Sequence, residues 1–352
     1  MGMSGGFERN ALIDVLKGGA PERRPIWFMR QAGRYLPEYR KVRETAGSFL
    51  RLCYAPELAA EVTVQPLRRY DLDAAIVFAD ILVVPHAMGL TLDFREGEGP
   101  QLQTARTLDE VEALSSVAGT WQVGAIEQTL KRVKAELGNR CPLFGFCGAP
   151  WTVASYMIEG GGSDERQLSK HAMFQRQPWF LRLIERLTEE SILYLARQCA
   201  AGADVLQIFD SWAGDVPGPL QREFVITPMV MIAQGLRAKG YTQPVIAFGR
   251  GLGAGHLDLA RSGGFAAVSL ETAVAPGWAA AALCPVTPVQ GNLDPLAMTA
   301  GETALASAVD AIVEHIPQNR HIFNLGHGIR QETQPEALQF VIDRVRAADV
   351  RS

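Results

Sequence analysis

The chain has no run of about 18 apolar residues, so no membrane-spanning helix is expected. Its first residues, Met1-Gly2-Met3-Ser4-Gly5-Gly6, show no basic stretch followed by an apolar core, and no secretory signal is read there. Cysteine is scarce and scattered: the five are Cys53, Cys141, Cys147, Cys199 and Cys284, without paired spacing. That argues against a disulfide framework or a structural zinc site and fits a reduced cytoplasm. The six histidines, His86, His171, His256, His315, His321 and His327, form neither His-x-x-x-His nor His-x-Cys spacing, so no ordinary metal site is evident. The Gly-x-x-x-x-Gly-Lys-Ser/Thr loop of nucleotide hydrolases is absent. Positive charge is not in excess; the net charge is −4, and general nucleic-acid affinity is not expected.

What is present is ordinary globular material: 352 residues, 47% hydrophobic and 20% charged, enough for a large core. Eight short apolar or β-branched runs read as buried strands, at 25–29, 74–78, 142–147, 205–209, 244–248, 266–270, 286–290 and 321–325. Amphipathic stretches alternate with them, for example 56–70, 125–137, 179–201, 228–239 and 303–315. Gly202 and Gly240 stand where helices should stop. Apolar strands alternating with helices imply a parallel sheet covered on both faces, and eight such units imply an α/β protein of the (β/α)8 TIM-barrel type. No linker or low-complexity tract marks a boundary, so a single barrel domain over residues 1–352 is expected, with an N-terminal helical extension over about 1–24. The segment 81–140 is longer than one unit needs and should carry a helical excursion and a loop around Glu96-Gly97-Glu98-Gly99-Pro100.

In such a barrel the active site lies at the C-terminal ends of the strands. The first strand is followed by Met29-Arg30-Gln31-Ala32-Gly33-Arg34-Tyr35-Leu36-Pro37, with Arg40 and Arg43 close behind. Guanidinium presents a planar fork that matches carboxylate or phosphate two bonds at a time, so this cluster suggests a ligand with several such groups. A solvated basic turn is the plainer reading. The second strand gives Asp80; the third Gly148-Ala149-Pro150-Trp151-Thr152, Tyr156 and Gly160-Gly161-Gly162; the fourth Asp210 and Ser211. The remaining four give Gly249-Arg250-Gly251, Glu271, Gly291-Asn292-Leu293-Asp294 and Gly326-His327-Gly328. Asp80 either caps the next helix or serves as a carboxylate in an apolar setting, beside Ile81, Leu82, Val83 and Val84. From spacing alone Tyr156 reads as a core tyrosine, Ser211 as a possible N-cap and Asp294, before Pro295, as an N-cap. His327 is either a small-loop residue or a ligand-facing donor. Gly249-Arg250-Gly251-Leu252-Gly253-Ala254 matches a dinucleotide fingerprint, with Glu271 at a suitable distance, but it falls in the fifth βα unit, whereas that fingerprint opens a Rossmann domain.

Over essentially its whole length the chain resembles the uroporphyrinogen decarboxylase family. The resemblance is carried by residues 25–37 and by Gly145-Phe146-Cys147-Gly148-Ala149-Pro150-Trp151-Thr152 with Tyr156-Met157-Ile158-Glu159-Gly160-Gly161-Gly162. Asp80-Ile81-Leu82-Val83-Val84-Pro85, Gln290-Gly291-Asn292-Leu293-Asp294-Pro295 and Asn324-Leu325-Gly326-His327-Gly328 support it, in the family's order. It implies a cytoplasmic, cofactor-free carboxy-lyase of haem and tetrapyrrole synthesis, a homodimer without nucleic-acid or membrane partners, converting uroporphyrinogen III to coproporphyrinogen III and CO2. It also implies substrate binding by Arg30, Gln31, Ala32, Gly33 and Arg34, a central catalytic Asp80 beside the pyrrole N–H groups, and further contacts from Tyr156, Ser211 and His327. The proton donor is left open: Arg30 is a family-level candidate, although an unperturbed guanidinium is a poor acid, with His327 or water as alternatives. The chain departs from the family at Ser269-Leu270-Glu271-Thr272, where Gly-x-Asp-Trp is usual, and at Arg250, where lysine is usual. Two rivals share features. Corrinoid-dependent methyltransferases use the same barrel but hold zinc through a His-x-Cys at strand five, where this chain has Ala247-Phe248-Gly249-Arg250. A non-catalytic tetrapyrrole carrier would keep the arginines but have no use for Asp80.

Overall fold

The computed structural model describes residues 10–95 and 99–349. Seven parallel strands form one curled sheet: β1 (Ala75–Ile76), β4 (Leu143–Gly148), β5 (Val205–Asp210), β6 (Val245–Gly249), β7 (Ala267–Ser269), β8 (Val289–Leu293) and β9 (His321–Leu325), neighbours in that order. Helices alternate with them, and the architecture is TIM-barrel-like. The expected helices appear as Pro56–Arg69, Trp121–Leu137, Pro178–Ala200, Thr227–Ala238 and Glu302–His315.

The first expected strand, 25–29, is not one by pairing. Only Ile26 forms a bridge, to Phe323 of β9. The segment nevertheless stands between the two edges of the sheet. Phe323 N–H donates to Pro25 O at 2.8 Å, and Asp73 N–H, just before β1, donates to Ile26 O at 2.9 Å. Side chains replace the missing ladder: Asn324 Oδ1 accepts from Met29 N–H at 2.9 Å, and Gln31 Nε2 donates to Ala74 O at 3.1 Å. Pro25 has no N–H to give, which limits regular pairing from the start.

Two further expectations are corrected. The seventh strand begins at Val289, not 286, because the N–H groups of Val286 and Thr287 turn back to Leu283 O. Gly291, Asn292 and Leu293 therefore lie inside β8 rather than beyond it. In the 81–140 segment a hairpin replaces part of the expected loop, β2 (Leu92–Arg95) against β3 (Gly99–Leu102), so Gly99 and Pro100 are strand residues. The alternation of buried Leu92, exposed Asp93 and half-buried Phe94 is the period of a strand. Glu96, Gly97 and Glu98 lie outside the described residues, as do residues 1–9. The helical excursion is present as the short helices Val83–Ala87 and Leu108–Glu112.

Two apolar layers result. The larger fills the space between sheet and helices. The smaller lies inside the barrel and is closed at the N-terminal end of the strands by helix Ala11–Leu16, whose Leu12, Val15 and Leu16 pack with Trp27, Phe144, Ile246 and Ile322. Asn10 starts that helix, its Oδ1 accepting from Leu12 N–H at 3.0 Å. Above this plug the interior is polar. Trp27 Nε1 donates to Gln290 Oε1 at 3.0 Å, and Gln290 Nε2 donates to Gln207 Oε1 at 3.1 Å and Ser269 Oγ at 3.0 Å. These buried amides hold one another and form the floor of the mouth.

Candidate active site

Arg30 leaves the first barrel segment with φ of 60°, a left-handed conformation rare for a residue with a Cβ. Its side chain lies across Gly328, beyond β9; a Cβ there would stand 2.3 Å from Arg30 Cδ. Only glycine allows that crossing. Gln31 is fully buried, with Nε2 on Ala74 O and Oε1 accepting from Phe28 N–H at 3.2 Å. Its backbone O accepts from the Tyr35 hydroxyl at 2.9 Å. The structure thus uses the Gln31 side chain to shape the arginine turn and leaves it no free group for a ligand. Ala32 and Gly33 are half-buried, and Arg34 is exposed.

Asp80 sits past β1. Its Oδ1 accepts from Leu82 N–H at 2.8 Å, closing a turn before helix Val83–Ala87, so the capping reading holds in part. Its Oδ2 receives no hydrogen bond among the described residues. Burial pushes the Asp80 carboxyl above the usual carboxylate range, against the opposing pull of the Leu82 N–H and of Arg30. The flank is apolar: Phe78, half-buried, has Tyr39 at 5.7 Å and Phe49 at 5.8 Å between ring centroids.

Tyr156 is on helix Pro150–Glu159 and is half-buried, not a core residue. Its hydroxyl is pushed up to about 12 by burial and by Asp80, with Arg30 and Arg166 opposing. His327 is lowered to about 4, by burial first and then by Arg30 and Arg250. Its Nδ1 accepts from Gly328 N–H at 2.8 Å, so the ring is neutral at physiological pH and its Nε2–H is a donor. Arg30 thus acts on Asp80, Tyr156 and His327, Asp80 on Tyr156 and Arg250 on His327, all from segments at the C-terminal ends of the strands. Ser211 is half-buried beside it; it does not cap the following turn, which begins at Trp212 without a side-chain cap. Asp294 is the N-cap expected, accepting from Leu296 N–H at 2.9 Å.

The glycine-rich segment after β6 serves backbone contact. A Cβ on Gly214 would stand 2.5 Å from Gly251 O, so the loops after β5 and β6 press together. At the departure after β7, Glu271 is buried and its Oε2 accepts from Ala273 N–H at 2.9 Å, while Thr272 packs against Gly326. Among the described residues no cluster of three or more His, Cys, Asp or Glu could hold a metal ion. No helix of those residues is long and apolar enough to cross a membrane.

Sequence reasoning passed over three residues of this wall: Arg166, Trp212 and Asp215. Trp212 follows the quoted Asp210-Ser211 pair and was legible by proximity. Arg166 and Asp215 carry no motif.

The model of the family described as uroporphyrinogen decarboxylase (URO-D) matches residues 8–348 of this chain. The chain belongs to the uroporphyrinogen decarboxylase family. Among its relatives, a uroporphyrinogen decarboxylase of Ruegeria pomeroyi is 47% identical over 96% of this chain and 99% of its own length. One from Sphingopyxis alaskensis is 44% identical over 95% and 97%. Among solved structures, a methyltransferase from Methanosarcina mazei superposes with a TM-score of 0.79 at 18% identity, covering 95% of this chain and 97% of its own. That likeness speaks to the barrel alone. Uroporphyrinogen decarboxylase membership, by contrast, rests on the sequence over the whole barrel, mouth included.

Proposed function

We infer that this chain decarboxylates uroporphyrinogen, exchanging each of the four acetate carboxyls for hydrogen and yielding coproporphyrinogen in haem synthesis. The observation that carries the chemistry is Asp80: a carboxylate with one oxygen unengaged, in an apolar flank, facing a mouth of arginines.

An acetate on a pyrrole cannot lose CO2 directly, because the bonding pair has nowhere to go. A proton added to the adjacent ring carbon makes an iminium-like cation. The C–C bond to the carboxylate then breaks, its pair neutralises the ring as an exocyclic double bond, and CO2 leaves. A second proton makes the methylene a methyl group, and the ring carbon returns its proton. Asp80 accepts hydrogen bonds from the pyrrole N–H groups and stabilises the cation when it forms. At an effective dielectric near 20, a charge pair about 4 Å apart is worth roughly 4 kcal/mol, a several-hundred-fold effect on rate. Because burial already disfavours the lone charge on Asp80, a cation arriving beside it relieves that cost.

Arg30, the turn through Gly33, and Arg34 take substrate carboxylates; Tyr156, Ser211 and the His327 Nε2–H supply hydrogen bonds. His327, held neutral down to about pH 4, is scarcely protonated at neutral pH, so Arg30 or a water is the favoured proton source. The same reading carries a cytoplasmic, homodimeric enzyme that needs no metal or organic cofactor. Sedimentation and activity after exhaustive chelation and dialysis test those parts. The central test is anaerobic incubation with uroporphyrinogen III and chromatography of products by carboxyl number. Absence of hepta- to tetracarboxylic products would reject the function.

A further inference from the structure

Beside the mouth, Trp212 is fixed from several directions at once. Its N–H donates to Thr152 Oγ1 at 3.2 Å and more loosely to Asp210 Oδ1 at 3.4 Å. Its carbonyl accepts from Trp151 Nε1 at 2.9 Å. Its ring has the Tyr156 ring at 4.2 Å, tilted 35°, and the Arg166 guanidinium carbon at 3.9 Å from the centroid. Such a stack is favourable, the more so where water is excluded.

Arg166 is built for this position at a cost. It stands at the head of helix Gln167–Phe174 with φ 47° and ψ 48°, left-handed for a residue with a Cβ. Only 7% of it is exposed. Its Nη1 pairs with Asp215 at 2.7 Å and donates to Asp164 O at 3.0 Å, while its buried Nε has no partner among the described residues. A surface arginine kept only for solubility would occupy none of these restraints. Its charge is felt at both Tyr156 and Asp210.

We propose that Arg166, held by Asp215 and stacked on Trp212, is a positioning residue that sets the Tyr156 phenol against the substrate. This rests on the reading that the substrate is a uroporphyrinogen and that Tyr156 touches it. Tyr156 lies near the C-terminal end of helix Pro150–Glu159, its hydroxyl without a hydrogen-bond partner among the described residues, and packs on Trp212; without the guanidinium the indole can tilt and the phenol with it. The contact is made in the ground state and the transition state alike, so it should appear in KM more than in kcat.

The test is steady-state kinetics of the full-length protein with uroporphyrinogen III. Arg166→Met keeps length and apolar contact but removes charge and plane; KM should rise about tenfold with kcat within about threefold. Arg166→Lys, which keeps charge without the planar stack, should recover only part of the loss. In a Tyr156→Phe background, Arg166→Met should add less than about twofold. Asp215→Asn, which leaves Arg166 in place, should raise KM about threefold and covers the case in which Arg166→Met fails to fold. Unchanged KM in the folded Arg166 variants or in Asp215→Asn, a loss confined to kcat, or full multiplication of the Arg166 and Tyr156 effects would overturn the proposal. A wild-type protein that turns over no uroporphyrinogen would instead sink the functional reading beneath it.

Discussion

The two ends of the barrel both hold arginine, but, Arg166 with its partner Asp215 aside, in opposite states. At the N-terminal end of the strands, Arg23 pairs with Asp71 and Asp73 at 2.8 and 2.6 Å, and Arg346 reaches the other oxygen of Asp73 at 2.6 Å. Arg24 is buried there against Asp349 and the ring of His321. At the C-terminal end, Arg30, Arg34, Arg43 and Arg250 have no carboxylate in ion-pair reach among the described residues. Satisfied arginines tie the chain together. The unpaired ones include Arg30, whose charge acts on the Asp80 carboxyl, and on the proposed function they take a polyanion that also carries N–H donors. The difference separates stability from function within a single residue type.

The sharpest way to break that contrast is Asp80→Asn. Size is kept and charge is lost, and the new NH2 would meet pyrrole N–H donors. Single-turnover rate should fall at least about a hundredfold with the thermal midpoint within a few degrees. Near-normal rates in the folded variant would remove Asp80 from its role.

Asp73→Asn tests the other end. It leaves two guanidiniums short of a charge partner at a side chain that is 4% exposed, and loosens Ile26 N–H, which donates to Asp73 Oδ2 at 2.8 Å. Stability should drop by roughly 3 kcal/mol in urea unfolding, with KM unchanged. A change in KM without loss of stability would erase the division.

Arg34→Ala at the mouth should do the reverse: KM up about tenfold, more at raised ionic strength as screening weakens the remaining attraction, and unfolding free energy unaltered. Equal KM in both proteins across salt concentrations would reject carboxylate capture by this turn.

The smallest effect concerns Asp210, which is fully buried at the end of β5 and accepts from Thr152 Oγ1 at 2.5 Å. Burial raises its carboxyl from 3.8 to about 7. Between those values the folded protein keeps a proton that the unfolded chain has released. The associated stability is complete below about pH 4 and is lost as pH rises through about 7. Asparagine cannot ionise, so the thermal midpoint of Asp210→Asn relative to wild type should be higher at pH 8 than at pH 5. His327, lowered to about 4, acts with the opposite sign below 6.5, but it is common to both proteins and cancels. A pH-independent difference would contradict the assignment.

Much of this was legible in the sequence. Strand runs such as 321–325 and helices such as 303–315 announce themselves by period, because a buried strand and a half-buried helix must repeat their apolar residues. Asp80, the arginine turn and His327 sit at strand ends, which the barrel makes the mouth. What was not legible depended on pairing across long distances. The segment 25–29 is apolar enough to be a strand, yet its partners are side chains such as Asn324 and Asp73. Gln31 belongs to the most distinctive motif and still turns inward. Arg166 and Asp215, 49 positions apart, become a pair only once Trp212 lies between their loops.

The crossing of Arg30 over Gly328 joins residues far apart in the sequence, on either side of the sheet's strands in chain order. On a ribosome, Asp80 and Tyr156 emerge before β9 and can take their places beside the first strands of the growing sheet. The wall against which Arg30 lies, at Gly328, is made long after Arg30 itself. A nascent or truncated chain stopping before β9 would own most of the site's residues and yet have no surface to hold the guanidinium across the mouth. On the proposed function, catalytic competence would therefore be acquired in one late step, once β9 and the loop after it have formed.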